Sequence, residues 1–314
     1  MAPLSHGKSS TPNPVEVEVV TLKLLVTGAS GLLGHQIVEK AVGKAHEVYA
    51  AYKENPSNLG KPVKIDLVNQ NFVFDAIDKI RPHVIIHAAA YTDVDGCETN
   101  RELALKVNVE ATKYIAIAAA ESNSHVIYVS TDYVFNGKKG LYVEEDQTNP
   151  INYYGYTKLK GEEYVQKYAK SWCIARPSVI YGWSQTGKLN FATWIINSLS
   201  NEKEIKVLVD QHVSPTFNTN LAEMLLEIAE KKISGVVHAA GASRVSRYDF
   251  AVKCAELFNL NPSLIKPAQM REMSWKAKRP RDSSLNVSKA ENMLEAKPLK
   301  LDEALSMMKN QLKG

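Results

Sequence analysis

The chain has 314 residues, of which 45% are hydrophobic and 23% are charged, and this near-average composition excludes wholesale disorder and fibrous repeats. The net charge of +4 is weak evidence for a polyanionic partner and fits an anionic small substrate equally well. No apolar run approaches the ~18 residues of a membrane helix, and the first residues lack the apolar stretch of a secretory signal. We therefore expect a cytoplasmic protein that binds neither nucleic acid nor membrane.

Residues 1–20 are rich in Ser and Pro and end in the alternating run VEVEVV. We expect them to form a flexible extension with one edge strand at its end. In residues 21–175, amphipathic stretches alternate with short apolar runs, which are LKLLVT, HEVYAAY, VKID, HVIIHAA, HVIYVS and WCIARP. This alternation predicts βαβ units and an α/β fold built on a doubly wound parallel sheet.

Residues 176–314 follow a less regular pattern. The pattern predicts helices around 189–200, 219–231 and 246–258, a strand at GVVHAA and a C-terminal helix near 301–311. We expect a smaller substrate-binding lobe over the carboxyl edge of the sheet, where open α/β sheets bind ligands. Some segments of this lobe are expected to return to the main sheet.

The three cysteines are Cys97, Cys173 and Cys254. They are far apart and show no CxxC spacing, which argues against a disulfide framework and against a cysteine-rich zinc site. A reducing compartment is the expected setting.

The segment TGASGLLG, residues 27–34, directly follows the first predicted strand and opens a helix. Gly28 allows a tight turn, Gly31 lets the backbone approach a pyrophosphate, and Gly34 lets helix and strand pack closely. An ordinary strand-to-helix turn is the alternative, but the strand-loop-helix context favours a Rossmann dinucleotide site with phosphates at the helix N-terminus. The expected cofactor contacts are Gly28, Ser30, Gly31, Leu32, Leu33 and Gly34.

The residues after the second strand predict which cofactor is preferred. Folds that select NAD usually place a carboxylate there to hold the ribose 2′-hydroxyl, whereas this chain has AAYK, ending at Lys53. Lys53 either favours a 2′-phosphate or is a solvated loop charge, so NADP(H) is the preferred cofactor and NAD(H) the alternative. Asp66, which precedes Leu67, either hydrogen-bonds the adenine or caps the next helix.

Tyr154 and Lys158 lie four residues apart at the start of a predicted helix, so they share one face. A lysine ammonium beside a phenol favours the phenolate and lowers the phenol pKa, which suits proton exchange near neutral pH. The same spacing occurs at Tyr156–Lys160 and Tyr49–Lys53. Only the first pair follows the HVIYVS strand, where the edge of the sheet meets the cofactor site.

The segment Ser130–Tyr133 comes at the end of that strand. The hydroxyl of Thr131 can donate a hydrogen bond to a substrate carbonyl. The simpler explanation, which this segment in isolation favours, is that the hydroxyl satisfies the local turn.

Taken together, these motifs resemble those of the extended short-chain dehydrogenase/reductases, and within them the dTDP-4-dehydrorhamnose reductase family. The resemblance covers about residues 22–295. Its motifs are TGASGLLG, HAAAYTDVDGCE, VNVEAT, STDYVFNG, NPINYYGYTKLKGE, DQHVSPT and RPRDSSL. The order and chain spacing of so many motifs argue against coincidence.

The resemblance implies that NADPH delivers hydride to the C4 ketone of a nucleotide-linked deoxysugar, most closely dTDP-4-dehydro-L-rhamnose. In the implied catalytic trio, Tyr154 protonates the developing alkoxide, Lys158 lowers the pKa of Tyr154 and holds the nicotinamide ribose, and Thr131 hydrogen-bonds the carbonyl. Further implied cofactor contacts are Ala88, Ala89, Ala90 and Asn108. Implied substrate contacts are Tyr91, Thr92, Val94, Thr131, Asp132, Tyr133, Arg279 and Arg281, the two arginines being assigned to the diphosphate.

The chain also departs from this family. Where the family often has Arg-Thr-Ser followed by a Trp that packs on the substrate, this chain has Arg176-Pro177-Ser178-Val179. The acidic pair that some bacterial relatives use for a magnesium-bridged dimer is not seen near the glycine loop, so no metal is expected. A homodimer is compatible with the sequence.

Two other functions fit the same fold. The β subunit of methionine adenosyltransferase is similar to this family, binds NADP and acts by binding a catalytic subunit, and its extended N-terminus resembles the extension of this chain in kind. Against it, AAAYTDVDGCE follows the reductases. A nucleotide-sugar epimerase or dehydratase is the other alternative, but dehydratases have an Asp-Glu pair after the threonine. Here Asp132 is followed by Tyr133, which disfavours dehydration.

Overall fold

The structure, a computed structural model, describes residues 21–185 and 187–312. The extension and edge strand expected in residues 1–20 lie outside the described residues. Within the described ranges, no helix combines the length and the apolar character needed to cross a membrane.

The predicted apolar runs form the strands of one central sheet. Val84–His87 and His125–Val129 are buried at every position, as is typical of parallel strands covered on both faces. In chain order the strands are β1 Lys23–Thr27, β2 Glu47–Tyr52, β3 Lys61–Lys64, β4 Val84–His87, β5 His125–Val129, β6 Trp172–Ala175, β7 Ser178–Tyr181, β8 Ile205–Leu208, β9 His212–Val213, β10 Pro215–Phe217, β11 Gly235–Val237, β12 Val245–Ser246 and β13 Ile265–Ala268.

The amphipathic stretches form helices. In chain order they are α1 Leu32–Gly43, α2 Gln70–Ile80, α3 Val94–Thr99, α4 Arg101–Leu105, α5 Ala111–Ser122, α6 Tyr153–Tyr168, α7 Phe191–Ser200, α8 Asn218–Glu230, α9 Arg247–Leu257, α10 Ser288–Met293 and α11 Leu301–Asn310. A π-helical turn, Lys106–Glu110, lies between α4 and α5. Asn69, and not Asp66, caps α2, because the side chain of Asn69 accepts from the first N–H groups of that helix.

Seven strands form a parallel sheet in the order β11-β6-β5-β4-β1-β2-β3. Helices α1 and α8 cover one face, and α2, α5 and α6 cover the other. The strand order reverses between β1 and β4, and doubly wound sheets bind ligands in the crevice at the carboxyl ends of such a pair. The prediction of a doubly wound Rossmann fold is confirmed.

The chain after residue 176 builds a second apolar core. Tyr181, Phe217 and Phe250 are buried in it, among α7, α9 and α11. The strands of this part of the chain form two-stranded sheets, in which β7 pairs with β10, β8 with β13 and β9 with β12. Strand β11 instead joins the main sheet beside β6. Most of these strands have two to four residues, which is too short for a hydrophobic period to indicate them.

Candidate active site

The glycine loop joins β1 to α1 at the point where the strand order reverses. Gly28 has φ +69°, in the left-handed region that residues with a side chain rarely adopt. A Cβ at Gly34 would lie 2.0 Å from the carbonyl oxygen of Gly28, so α1 packs directly on the loop. Gly31 is exposed, and no side chain among the described residues caps α1. The first N–H groups of α1 are therefore available to a phosphate.

A cavity of about 650 Å³ lies at this loop and at the carboxyl ends of β4 and β5. Its volume is in the range typical of sites for organic ligands. The predicted site residues that line it are Gly28, Ser30, Gly31, Leu32, Leu33, Gly34, Ala88, Ala89, Ala90, Thr92, Val94, Thr131, Asp132, Tyr133, Tyr154 and Lys158. Motifs that are far apart in the chain thus meet in one cavity.

Tyr154 and Thr131 both line the cavity, and their side chains interact. Burial raises the pKa of Tyr154 well above its ordinary value, and the interaction with the Thr131 side chain offsets only part of that rise. The phenol therefore carries its proton at neutral pH. The predicted lowering of this pKa by Lys158 is wrong for this structure, because the loss of water around the phenol dominates.

Lys158 is buried one helical turn after Tyr154. Its Nζ lies 4.1 Å from the centroid of the Tyr128 ring, in a cation–π contact. Burial lowers the pKa of Lys158 to about 7, although the charge of Glu162 opposes the shift. Glu162 is itself held by Arg176 at 2.6 Å. The cavity therefore contains an amine whose charge changes near neutral pH.

The alternative pair, Tyr156 and Lys160, lies on the outer face of α6. Tyr156 is 40% exposed, and Lys160 Nζ lies 2.7 Å from the carboxylate of Glu163. Neither residue lines the cavity. Position, and not spacing, separates the two pairs.

Asp132 is buried, and its carboxylate accepts hydrogen bonds from three hydroxyl groups. Thr131 Oγ1 donates to Oδ1 at 3.1 Å, and Ser178 and Ser283 donate to Oδ2 at 2.9 and 2.5 Å. Burial raises the pKa of Asp132, and the three hydrogen bonds oppose the rise. Since the Thr131 hydroxyl has one proton, its bond to Asp132 competes with the predicted donation to a substrate carbonyl.

Asn108, predicted as a cofactor contact, lies beneath the segment that follows β4 and is not among the residues that line the cavity. Its Oδ1 accepts from the N–H of Tyr91 at 2.8 Å, and its Nδ2 donates to the Tyr91 carbonyl at 3.1 Å and to Thr157 Oγ1 at 3.0 Å. The Tyr91 hydroxyl faces α3, since a Cβ at Gly96 would lie 2.1 Å from it. Asn108 therefore fixes the backbone of this segment, and Tyr91 does not line the cavity either.

The residues predicted at the adenosine end also lie outside the described cavity wall. Lys53 Nζ lies 3.7 Å from Asp66 Oδ2, in an ion pair of which the lysine is largely exposed. Asp66 also accepts from the N–H of Val68, in the turn that contains Leu67. The three predicted residues stand together at the carboxyl ends of β2 and β3.

The two arginines assigned to the diphosphate do not line the cavity. Arg279 donates to Asp95 at 3.0 Å, and its guanidinium carbon lies 5.2 Å from the Trp275 ring centroid. Arg281 is exposed. Asp95 compensates the charge of Arg279 and Arg281 is solvated, so the assignment of these arginines to the diphosphate stays a prediction.

Part of the cavity wall comes from the second half of the chain, where the resemblance had implied contacts only at Arg279 and Arg281. The additional lining residues there are Pro177, Val179, Ile180, Ser184, Lys188, Leu189, Asn190 and Arg247. Val179 stands where the family often has its packing Trp, and its φ of +33° is unusual for a β-branched residue. The departure at Arg176–Val179 was the one signal in the sequence that pointed to this wall.

Comparison with known proteins identifies the family. The model described as the RmlD substrate binding domain matches residues 22–313. A dTDP-4-dehydrorhamnose reductase of Aggregatibacter actinomycetemcomitans is 34% identical, over 90% of this chain and 97% of the relative. The methionine adenosyltransferase 2 subunit beta of Bos taurus is 31% identical, over 88% of this chain and 84% of the relative.

A solved structure agrees with these sequence matches. The dTDP-4-dehydrorhamnose reductase from Bacillus anthracis, in complex with NADP, is similar with a TM-score of 0.85 and 29% identity, over 93% of this chain and 100% of that one. The chain therefore belongs to the RmlD substrate-binding family, among the oxidoreductases that resemble dTDP-4-dehydrorhamnose reductase.

Proposed function

We propose that this protein uses NADPH to reduce the C4 ketone of a nucleotide-linked deoxysugar, and that the sugar is dTDP-4-dehydro-L-rhamnose. The observation that carries the proposal is the buried contact between Tyr154 and Thr131, in the same cavity as Lys158 and the glycine loop. A proton donor beside a phosphate-binding helix end is what ketone reduction by a dinucleotide needs. The similarity to a dTDP-4-dehydrorhamnose reductase supports the choice of sugar.

The residues present fit a nicotinamide dinucleotide, which supplies the hydride when bound. The exposed backbone of Gly31 and the N-terminus of α1 would hold its pyrophosphate. Lys53 would favour the 2′-phosphate, and the relative solved with NADP supports NADP(H) over NAD(H). Fluorescence titration should therefore show tighter binding of NADPH than of NADH, and Lys53→Ala should reduce the difference.

Tyr154 would act as the general acid. Its raised pKa keeps the phenol protonated at neutral pH, so it can donate to the oxygen that gains charge as the ketone is reduced. Lys158 lies one turn further along α6, and its protonated form would stabilise the phenolate that remains after the transfer. With a pKa of about 7, Lys158 is partly protonated at neutral pH.

The residues that line the cavity fit dehydration poorly. Asp132 already accepts hydrogen bonds from three hydroxyl groups, so it serves to join segments of the chain. Tyr133 supplies a phenol where a second carboxylate would be needed. These contacts support reduction over dehydration.

NADPH consumption with dTDP-4-dehydro-L-rhamnose tests the proposal, with the UDP- and GDP-linked 4-keto sugars as comparisons. We expect the fastest turnover with the dTDP sugar and formation of dTDP-L-rhamnose. Binding of NADPH without turnover of any 4-keto sugar would contradict the proposal.

A second candidate function is regulation of a methionine adenosyltransferase. The similarity to the bovine β subunit, at 31% identity over 88% of this chain, favours it. Under this proposal the protein would bind both NADP(H) and a catalytic subunit. A stable complex with purified catalytic subunit, together with no turnover of keto sugars, would favour this function over the reductase.

A further inference from the structure

Arg247 brings a positive charge into the catalytic cavity from the second half of the chain. It is the first residue of α9 and is partly buried in the cavity wall. Its Nε donates to Gln211 Oε1 at 3.2 Å, and its guanidinium carbon lies 4.6 Å from the centroid of the Phe191 ring. These contacts orient the side chain without neutralising its charge.

Arg247 differs from the arginines that have a carboxylate partner. In the described part of the chain, those that pair with a carboxylate are Arg81, Arg101, Arg176, Arg244 and Arg279. Arg247 has no carboxylate within 4.0 Å among the described residues. Burial lowers its pKa, Tyr133 and the charge of Asp132 oppose that shift, and the charge of Arg279 adds to it. Since an arginine stays protonated in proteins, a cation withdrawn from water without a paired carboxylate favours an anionic ligand.

Tyr133 lies close to both Arg247 and the proposed acid. It interacts electrostatically with Arg247, and its ring meets the Tyr154 ring edge-on, with the centroids 6.1 Å apart. An anion at Arg247 would therefore lie in the same cavity as the phenol that donates the proton. In a nucleotide 4-keto sugar, the diphosphate on C1 and the carbonyl at C4 lie on opposite sides of one pyranose ring. One substrate could therefore contact both groups.

We propose that Arg247 binds the diphosphate of the nucleotide sugar while the C4 carbonyl lies at Tyr154, an inference that rests on the proposed function. A guanidinium suits this task, because its planar set of donors can form two parallel hydrogen bonds with phosphate oxygens. Arg247 then takes the place that the family resemblance assigned to Arg279 and Arg281. Those two lie outside the cavity wall.

Calorimetric titration of the NADP-saturated protein with dTDP tests this inference without any turnover. Arg247→Met should weaken dTDP binding by about tenfold or more, the loss expected for one charge-assisted pair. Its affinity for NADP should stay at the wild-type value. Arg247→Lys should restore part of the dTDP affinity, because it keeps the charge but not the two parallel donors. Arg281→Met, a change at an exposed arginine, is the matched control and should bind dTDP like the wild type.

Equal dTDP affinity in Arg247→Met and the wild type would overturn the inference. A matching loss of NADP affinity would overturn it too, since Arg247 would then hold a phosphate of the cofactor. Should Arg247→Met fail to fold, Arg247→Gln and Arg247→Lys give the same comparison. A wild type that binds neither dTDP nor UDP also contradicts the inference. The wild type could bind dTDP more tightly than Arg247→Met and still reduce no keto sugar. That outcome would refute only the proposed reaction.

Discussion

Tyr154 and Lys158 share one face of α6, and burial changes the proton affinity of both. The pKa of Tyr154 is raised, whereas that of Lys158 falls to about 7. Spacing and position in the chain were enough to predict this pair and to set Tyr156–Lys160 aside. They could not predict the direction of the Tyr154 shift, because it depends on how much water the folded cavity removes from each group.

Replacing Tyr154 removes one hydroxyl from the cavity. Tyr154→Phe should lower kcat for a 4-keto sugar by ~10²–10⁴, the usual contribution of a positioned acid, and should leave NADPH affinity nearly unchanged. Steady-state kinetics and fluorescence titration measure the two effects. Tyr156→Phe is the control, since Tyr156 is 40% exposed on the other side of the helix. Loss of turnover in Tyr156→Phe, with Tyr154→Phe active, would contradict the assignment.

Lys158 should make the stability of the ligand-free protein depend on pH. Its pKa is about 7 in the folded protein, against an ordinary lysine value of 10.5. Between these values the unfolded chain binds a proton that the folded protein does not, so the free energy of unfolding rises with pH. Below about pH 7 both states are protonated, and this contribution becomes constant.

Thermal unfolding of the wild type and of Lys158→Met, from about pH 7 to about pH 9, isolates that contribution. The Tm of the wild type should rise relative to that of Lys158→Met across this window. Parallel curves would show that Lys158 keeps its proton in the folded protein.

The unit of β1, the glycine loop and α1 was predictable because everything that defines it is local in the chain. An apolar run, three glycines at fixed spacing and an amphipathic stretch occur in order between Leu22 and Gly43. The π-helical turn at Lys106–Glu110 and the parallel pairing of β7 with β10 leave no such local signal. Arg247 was missed for the same reason, since it reaches the cavity only when α9 packs with the second apolar core.

Two glycines of α1 should respond to alanine in opposite ways. A Cβ at Gly34 would lie 2.0 Å from the Gly28 carbonyl oxygen, whereas a Cβ at Gly43 would meet nothing within 4 Å. Gly34→Ala should therefore displace the loop, lower the free energy of unfolding by more than ~1 kcal/mol and abolish NADPH binding. Gly43→Ala should raise the free energy of unfolding by ~0.5 kcal/mol. Denaturant unfolding measures both, and equal stability of the two variants would show that α1 does not pack on the loop as described.

For the whole molecule, the two parts of the chain have complementary tasks at one cavity. The carboxyl edge of the sheet provides the glycine loop together with Thr131, Tyr154 and Lys158, and the later residues add Arg247 and the wall around Val179. The fold and the first group could be predicted, because they rest on motifs that each follow a strand. The second group depends on long-range packing, which a single sequence does not encode at any fixed spacing.

The proposed reaction moves hydride from NADPH to C4 of a nucleotide sugar bound in this cavity. The most direct measurement uses NADPH deuterated at both C4 positions of the nicotinamide, with dTDP-4-dehydro-L-rhamnose as the acceptor. We expect dTDP-L-rhamnose that carries deuterium at C4 of the sugar in its NMR spectrum, and at most traces of this product with Tyr154→Phe. A sugar recovered unchanged or free of deuterium, from a protein that binds NADPH, would contradict the proposed reaction.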